Sequence, residues 1–298
     1  MGEVVACGLL AHVPTVMLPE EVRHELNNGR DFSVVDGFRR MHREVLPPLE
    51  YDLVIVFDSH WFSTVEFLIT AHARRSGKFT SDELPRGMSQ VPYDFPGDPE
   101  FAKAAAGNGR KHGTWITAID DPCLPIHYAT INLLTYLQRG QETWVSVSCC
   151  QTAETEDFLR AGRALRQTIA AMDRRVVLMA SGAMSHKFWP LRELRNHEAA
   201  GIEHIFSPAH SAADLARIEW MKAGDHAQVL QTMPEFLKFR PEANFGHYVM
   251  MAAAMGEGDW TAPGRLYSDY ENSIGTGQVH IWFDRPQGGW NARRQAAR

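Results

Sequence analysis

Short runs of apolar residues recur along the chain, between segments in which apolar residues fall at every third or fourth position. The runs that are apolar on both faces are Val4–Ala11, Leu53–Phe57, Trp144–Ser148 and Val176–Ala180. Such runs are typical of parallel strands covered by helices on each side. The segments with helical spacing are 34–45, 156–172, 214–223 and 248–255. This alternation predicts an α/β fold with a central, mostly parallel and partly mixed sheet that has helices on both faces.

The chain shows no internal repeat and no linker, so it is predicted to form one domain over residues 1–285. Residues 286–298 are expected to be a frayed C-terminal tail. The segment Gly77–Glu100 is rich in Gly, Pro, Ser and Asp and lacks a period. We expect it to be an irregular loop over one face, of the kind that often covers a site.

Composition and charge narrow the range of partners. Of the 298 residues, 44% are hydrophobic and 22% are charged, which excludes a disordered or fibrous chain. The net charge of −6 provides no basic field, so neither nucleic acid nor a membrane is an expected partner. The four cysteines, Cys7, Cys123, Cys149 and Cys150, match neither a disulfide framework nor a zinc pair. With no apolar stretch of transmembrane length, the predicted location is the cytoplasm.

Three of the fourteen histidines come shortly after predicted strands. His12 follows the first strand, His60 the second and His186 the run that ends at Ala180. Ligands of open α/β sheets bind at the carboxyl ends of the strands. A single histidine there is usually only a loop residue, but three at one edge predict a polar or metal site. Spacing alone leaves the chemistry of that site open.

Motifs spread from end to end resemble the class III extradiol ring-cleavage dioxygenases, the LigB-type superfamily. The most specific are DSHW, which ends at Trp61, and SGAMSH, which ends at His186. The others are AHVPT at 11–15, FTSDELP at 79–85, YDFPGDPE at 93–100, MPEF at 233–236, PEANF at 241–245 and SIGTGQV at 273–279. The chain is most similar to the homoprotocatechuate (3,4-dihydroxyphenylacetate) 2,3-dioxygenase branch.

The resemblance implies a set of site residues. His12, His60 and Glu242 match the family's ligands to Fe(II), for which Mn(II) is a candidate substitute. Two imidazoles and one carboxylate bind one face of a ferrous ion and leave positions for a catechol and for the co-substrate O2. His186 matches the acid–base histidine, which would take a proton from the catechol and return it later. Asp58 either orients the ring of His60 or points elsewhere.

The segment Ile126–Thr130 departs from the family pattern, in which an acidic residue, Tyr or His, and then Gly are common. Tyr128 matches a catalytic position that faces the substrate, whereas His127 stands in place of a carboxylate. Lys187 falls where a relative has Arg. His127 or Lys187 would then bind an anionic arm, as in 3,4-dihydroxyphenylacetate or a similar aromatic acid, whose product would be a ring-opened semialdehyde.

Several alternatives stay open at this point. The same ring opening on a protocatechuate-like, gallate-like, aminophenol or hydroxypyridone substrate is one. A zinc hydrolase with the same ligands is another, as is a non-catalytic binding protein on the same scaffold. The joint presence of His12, His60, Glu242 and His186 argues against the binding protein, which needs none of them. The resemblance also implies a homo-oligomer, either a dimer or a tetramer.

Overall fold

The computed structural model describes residues 1–287 and 289–290. A mixed sheet lies at its centre, and two small antiparallel sheets lie outside it. In chain order the strands are β1 (Glu3–Leu10), β2 (Leu53–Ser63), β3 (Phe67–Thr70), β4 (Arg74–Phe79), β5 (Val91–Pro96), β6 (Ile116–Ile119), β7 (Thr143–Cys150), β8 (Arg175–Ser181), β9 (Arg265–Leu266), β10 (Glu271–Ser273), β11 (Thr276–Gln278) and β12 (Ile281–Asp284).

The central sheet has the strand order β6-β3-β7-β2-β8-β1-β12-β9. Its four inner strands are parallel to their neighbours: β7 with β2, β2 with β8, and β8 with β1. Antiparallel pairing begins outside them, where β3 meets β7 and β12 meets β1. The predicted mostly parallel, partly mixed sheet is therefore confirmed. The four apolar runs of the sequence form the four inner strands, which are buried on both faces.

Helices cover both faces of this sheet, as predicted. They are α1 (Glu20–Leu26), α2 (Ser33–Arg40), α3 (Pro99–Lys111), α4 (Tyr128–Leu137), α5 (Thr155–Ala171), α6 (Pro208–Ala223), α7 (His226–Gln231), α8 (Met233–Phe236) and α9 (Gly246–Met255). Alternate residues of β2 divide between the two cores. Ile55 and Phe57 pack in the core that contains residues of α3, α5 and α9, and Val54 and Val56 in the core of α2 and α4. This period of two is the geometry of a pleated strand.

Strand β2 is longer than predicted. It continues past Phe57 to Ser63, and its register with β7 shifts between Asp58 and Phe62. At this irregularity Asp58 Oδ1 accepts hydrogen bonds from the backbone N–H groups of His60, at 3.0 Å, and Trp61, at 2.9 Å. The buried side chain of Asp58 thus accepts hydrogen bonds from backbone groups that have lost their partners in the neighbouring strand. His60 lies within the strand, and Asp58 holds its backbone.

The segment Gly77–Glu100 is more ordered than predicted. Strands β4 and β5 pair as an antiparallel hairpin, and α3 begins at Pro99. The prediction of a loop was wrong for these flanks because β4 is mostly exposed and shows no apolar alternation. Residues 80–90, between the two strands, contain no helix or strand.

Near the C-terminus, Trp290 Nε1 donates a hydrogen bond of 2.8 Å to the carbonyl oxygen of Val4. Residues 288 and 291–298 lie outside the described part of the chain, so the frayed tail expected over 286–298 stays a prediction. Within the described part, no helix combines the length and the apolar character needed to cross a membrane.

Candidate active site

A cavity of about 420 Å³ lies where β1 and β8 end, and several residues singled out in the sequence line its walls. His12 comes two residues after β1, and His186 lies beyond the end of β8. The titratable side chains in the walls are His12, Glu83, Tyr128, His186 and Glu242. Residues separated by more than 200 positions in the chain thus share one site. Of the predicted site residues, His12, Tyr128, His186 and Glu242 lie in these walls, and His60 does not.

His12 and Glu242 form a buried pair. The Nδ1 atom of His12 lies 3.0 Å from Ser181 Oγ, and Ser181 in turn donates its hydroxyl to the carbonyl oxygen of Ala129. Because that hydroxyl proton is already used, Nδ1 of His12 is assigned as the donor. In neutral His12 the lone pair of Nε2 then faces Glu242 Oε1 at 3.3 Å. Two electron-rich atoms at this distance repel each other unless a proton or a cation lies between them.

The ionisation of the pair follows from the same contact. Burial lowers the pKa of His12, but the charge and hydrogen bond of Glu242 outweigh it, and the net pKa is raised. For Glu242, burial raises the pKa, but His12 and His186 together bring it well below its ordinary value. Glu242 is therefore an anion in a buried position, as a carboxylate ligand must be.

The local backbone fixes the direction of Glu242. Its backbone N–H donates to the carbonyl oxygen of Met184 at 3.1 Å, and its Oε2 accepts from Ala183 N at 2.6 Å. The three residues that follow have left-handed backbone angles, with φ of 48°, 56° and 59° at Ala243, Asn244 and Phe245. Such conformations are costly for residues with side chains and persist where the surroundings enforce them, often at functional sites.

His60 is near this pair but has another partner. Its ring centroid is 6.3 Å from that of His12 and 3.9 Å from that of Tyr128. Its Nε2 lies 3.1 Å from Glu83 Oε1, and its Nδ1 is buried without a hydrogen-bond partner. Consequently, within residues 1–287 and 289–290, no three His, Cys, Asp or Glu side chains converge on one point as metal ligands do.

His186 and Tyr128 line the same cavity and can accept a proton and donate a hydrogen bond, respectively. Burial lowers the pKa of His186, although the charge of Glu242 opposes the effect, so the imidazole is neutral near pH 7. Its backbone N–H donates to the carbonyl oxygen of Arg240 at 2.9 Å. Burial and the charges of Glu242 and Glu83 raise the pKa of Tyr128, which keeps the phenol as a hydrogen-bond donor.

The two candidates for binding an anionic arm lie outside this group. The imidazole of His127 packs against Trp61, with ring centroids 6.1 Å apart and planes within 19°. The ammonium of Lys187 lies 3.8 Å from the centroid of Phe206. Neither His127 nor Lys187 contributes to the walls of the cavity.

Sequence reasoning missed Glu83 as a site residue. It lies in the 80–90 segment between β4 and β5, where Leu84 also reaches the cavity. The available signal was the motif FTSDELP inside a segment expected to cover a site. Neither the motif nor the segment specifies which of two adjacent acids, Asp82 or Glu83, turns inward.

A second buried carboxylate, Asp214 on α6, supports the segment that carries His186. Asp214 Oδ1 accepts from Ser185 N at 3.0 Å, and Oδ2 accepts from the hydroxyls of Ser185 at 2.7 Å and Tyr270 at 2.5 Å. Despite these bonds, burial raises the pKa of Asp214 from 3.8 to about 7. The folded protein therefore binds a proton here more tightly than the unfolded chain does.

This shift predicts a pH dependence of stability. The contribution of Asp214 is present below the ordinary pKa of 3.8 and is lost as the pH rises through about 7. We expect the free energy of unfolding of Asp214→Asn, relative to the parent, to improve between about pH 4 and about pH 7 and to level off at higher pH. A pKa difference of one corresponds to about 1.4 kcal/mol. Urea denaturation at a series of pH values measures this difference.

Asp120→Asn, at an exposed position, is the matched control and should follow the parent at every pH. A difference between Asp214→Asn and the parent that stays constant with pH would show that Asp214 does not titrate in this range.

Comparison with known proteins identifies the class. The family model described as "Catalytic LigB subunit of aromatic ring-opening dioxygenase" matches residues 6–283, nearly the whole described chain. The protein belongs to this family. It is an extradiol aromatic ring-cleavage dioxygenase, and the family assignment and enzyme class predicted from the motifs are confirmed.

Two relatives are 25% identical to the chain. One is the 3,4-dihydroxyphenylacetate 2,3-dioxygenase of Escherichia coli, aligned over 86% of this chain and 91% of that protein. The other is the 2-aminophenol 1,6-dioxygenase beta subunit of a Pseudomonas species, aligned over 97% and 96%. The crystal structure of an uncharacterized protein, JW3007, from Escherichia coli K12 has the same fold, with a TM-score of 0.61. It is 14% identical and aligns over 94% of this chain and 99% of that one.

A metal cofactor is implied by this family, and the residues present fit a ferrous ion. Nε2 of His12 and the anionic Glu242 face each other at 3.3 Å, which is an arrangement that either a proton or a metal cation stabilises. His60 supplies a second imidazole in contact with Tyr128 at the same edge of the sheet. Two imidazoles and one carboxylate are the ligand types that non-haem Fe(II) oxygenases use. Coordination through Nε2 of His60 requires it to exchange Glu83 for the ion.

Proposed function

We propose that the protein is a non-haem Fe(II) enzyme that opens a catecholic ring beside its two oxygen substituents and incorporates both atoms of O2. The observation that carries the proposal is Nε2 of His12 facing the buried Glu242 carboxylate at 3.3 Å, in a cavity that also contains His186 and Tyr128. His12, His60 and Glu242 would hold the iron, with Mn(II) as a substitute. The bound metal supplies the Lewis-acid and redox chemistry that the side chains lack.

The chain's own residues would manage protons and water. Neutral His186 accepts the proton of a substrate hydroxyl, holds it on the imidazole, and returns it as the ring opens. The phenol of Tyr128 donates a hydrogen bond to a substrate oxygen. The indole of Trp189 and the side chains of Phe188 and Leu194 give the cavity an apolar wall that packs against the ring and excludes water.

The identity of the aromatic substrate is a separate part of the proposal. The motifs favour 3,4-dihydroxyphenylacetate or a similar dihydroxylated acid, with a semialdehyde as the product. One relative's name supports that choice, and the name of the other supports an aminophenol. Protocatechuate-like, gallate-like and hydroxypyridone rings need the same placement of two ring oxygens. Together with the first two substrates they form the panel of rings to be tested.

Metal analysis and oxygen consumption test the proposal together. The purified protein is loaded with Fe(II) under anaerobic conditions, and oxygen uptake is followed with each ring in the panel. We expect one oxygen molecule to be consumed for each ring opened, with a coloured ring-opened product. Retention of zinc, with ester or amide hydrolysis and no oxygen uptake, would instead establish the hydrolase. Ligand binding without turnover by the iron-loaded protein would indicate a binding protein.

We further propose that the enzyme works as a homo-oligomer, a dimer or a tetramer, in the cytoplasm. Cys7, Cys149 and Cys150 are buried free thiols and Cys123 is an exposed one, which suits a reducing compartment. The name of the Pseudomonas relative, a beta subunit, is consistent with assembly in this family. Light scattering on the purified chain measures its oligomeric state.

A further inference from the structure

The charged groups around the cavity are unevenly distributed. Among the described residues that form its walls there is neither lysine nor arginine, whereas two carboxylates, Glu83 and Glu242, are present. Glu242 is engaged by His12 at 3.3 Å. Under the proposed function, Glu242 is committed to the metal and His186 to proton transfer. Glu83 is then a charged residue of the wall for which the proposed function gives no role.

Glu83 is placed to meet a substituent on the ring. Its side chain is 54% exposed, and its carboxylate lies 3.1 Å from Nε2 of His60. It therefore extends from the solvent side of the cavity to the metal ligands. Leu84, which follows it, also forms part of the wall and is 45% exposed.

The other described residues of the cavity wall include neither a lysine nor an arginine side chain that could bind an anion. Phe188 and Leu191 form part of the wall and are 50% and 88% exposed. A carboxylate arm between these side chains and Glu83 would lose hydration and meet a like charge. The cation nearest to His186 in sequence, Lys187, has its ammonium on the ring of Phe206 instead.

We propose that Glu83 is a specificity-determining residue that selects rings with a neutral or cationic substituent over rings with a carboxylate arm. The inference rests on the proposed function and deepens it. It differs from the substrate implied by the motifs, because the resemblance assigned the arm to His127 and Lys187, and neither lies in the wall of the cavity. The chemical class is a catechol or aminophenol whose further substituent is apolar, hydrogen-bond donating or positively charged.

Three catechols that differ in the charge of the arm test the proposal. They are 3,4-dihydroxyphenylacetate, its amide 3,4-dihydroxyphenylacetamide, and dopamine, with arms that are anionic, neutral and cationic. We expect kcat/KM to rise in that order, by about two- to fivefold at each step, which is the size of effect expected from a partly exposed charge. The ratio between two substrates on one preparation does not depend on the fraction of enzyme loaded with iron.

Glu83→Gln should compress these ratios towards one, and Glu83→Ala should do the same if the glutamine variant is unstable. Asp82→Asn is the matched control: it removes the same charge one residue away, at an exposed position outside the wall, and should keep the parental order. Anaerobic dissociation constants of the three compounds, from calorimetry, provide a readout without turnover and should follow the same order.

A parent enzyme that binds and turns over the acid as well as or better than the amide would overturn the proposal. The same holds for an order that persists unchanged in Glu83→Gln, since another group would then be responsible. Failure of the proposed function looks different: no ring is opened and no oxygen is consumed with any arm, while the anaerobic binding order still decides the role of Glu83.

Discussion

Replacing Glu242, His12 or His60 by alanine is expected to remove most of the bound iron and nearly all oxygen uptake with a catechol. Loss of residues that merely support metal ligands typically lowers metal affinity by about 10–100-fold, so loss of a ligand itself should exceed this range. For Glu242 the reason is direct, because its anionic carboxylate faces Nε2 of His12, the second proposed ligand, at 3.3 Å. Iron content per chain after anaerobic loading and desalting is the measurement.

Glu271→Ala is the matched control for Glu242→Ala. Both glutamates are buried, with 5% and 6% exposure, but Glu271 accepts hydrogen bonds from Ser33 and Val34 at the start of α2. We expect this control to lower the melting temperature and to keep its iron. Full iron occupancy and activity in any one of the three ligand variants would remove that residue from the ligand set.

His186→Phe is expected to keep iron and to bind catechol anaerobically, while kcat falls by about 10²–10⁴-fold, the usual contribution of a positioned acid–base group. The parent should also lose activity at acidic pH, because protonated His186 cannot accept the substrate proton. Burial lowers the pKa of His186, which moves this acidic limb to lower pH. In the variant the limb should disappear.

The matched control is His210→Phe. The pKa of His210 is also lowered by burial, but its Nδ1 lies 2.7 Å from Ser207 Oγ at the start of α6, and it is not a wall residue. It should turn over catechol at close to the parental rate. Loss of iron in His186→Phe would instead identify His186 as a ligand, and parental kcat would exclude it from proton transfer.

The hydrophobic pattern of the sequence predicted the four inner strands of the central sheet, which are buried on both faces. The runs that became β1, β2, β7 and β8 have apolar residues on both faces because each strand lies between two layers of helices. Strands that are mostly exposed gave no such signal. Thus β4, with one buried residue, was expected to be part of a loop. Hydrophobic pattern reports burial, so it identifies strands in the core and misses strands on the surface.

By itself, the sequence determined the α/β class, the inner strands, the family, and a short set of residues at strand ends. His12 and His186 could be placed because the carboxyl ends of parallel strands share one edge. Tertiary structure alone decided which side chains meet. Glu242 lies beside His12 in a segment where Ser185 pairs with Pro241 and a left-handed turn follows. Glu83, rather than Asp82, enters the wall, and Lys187 turns away to Phe206. Such contacts depend on the path of the backbone between distant segments, and a list of residue types along the chain does not specify it.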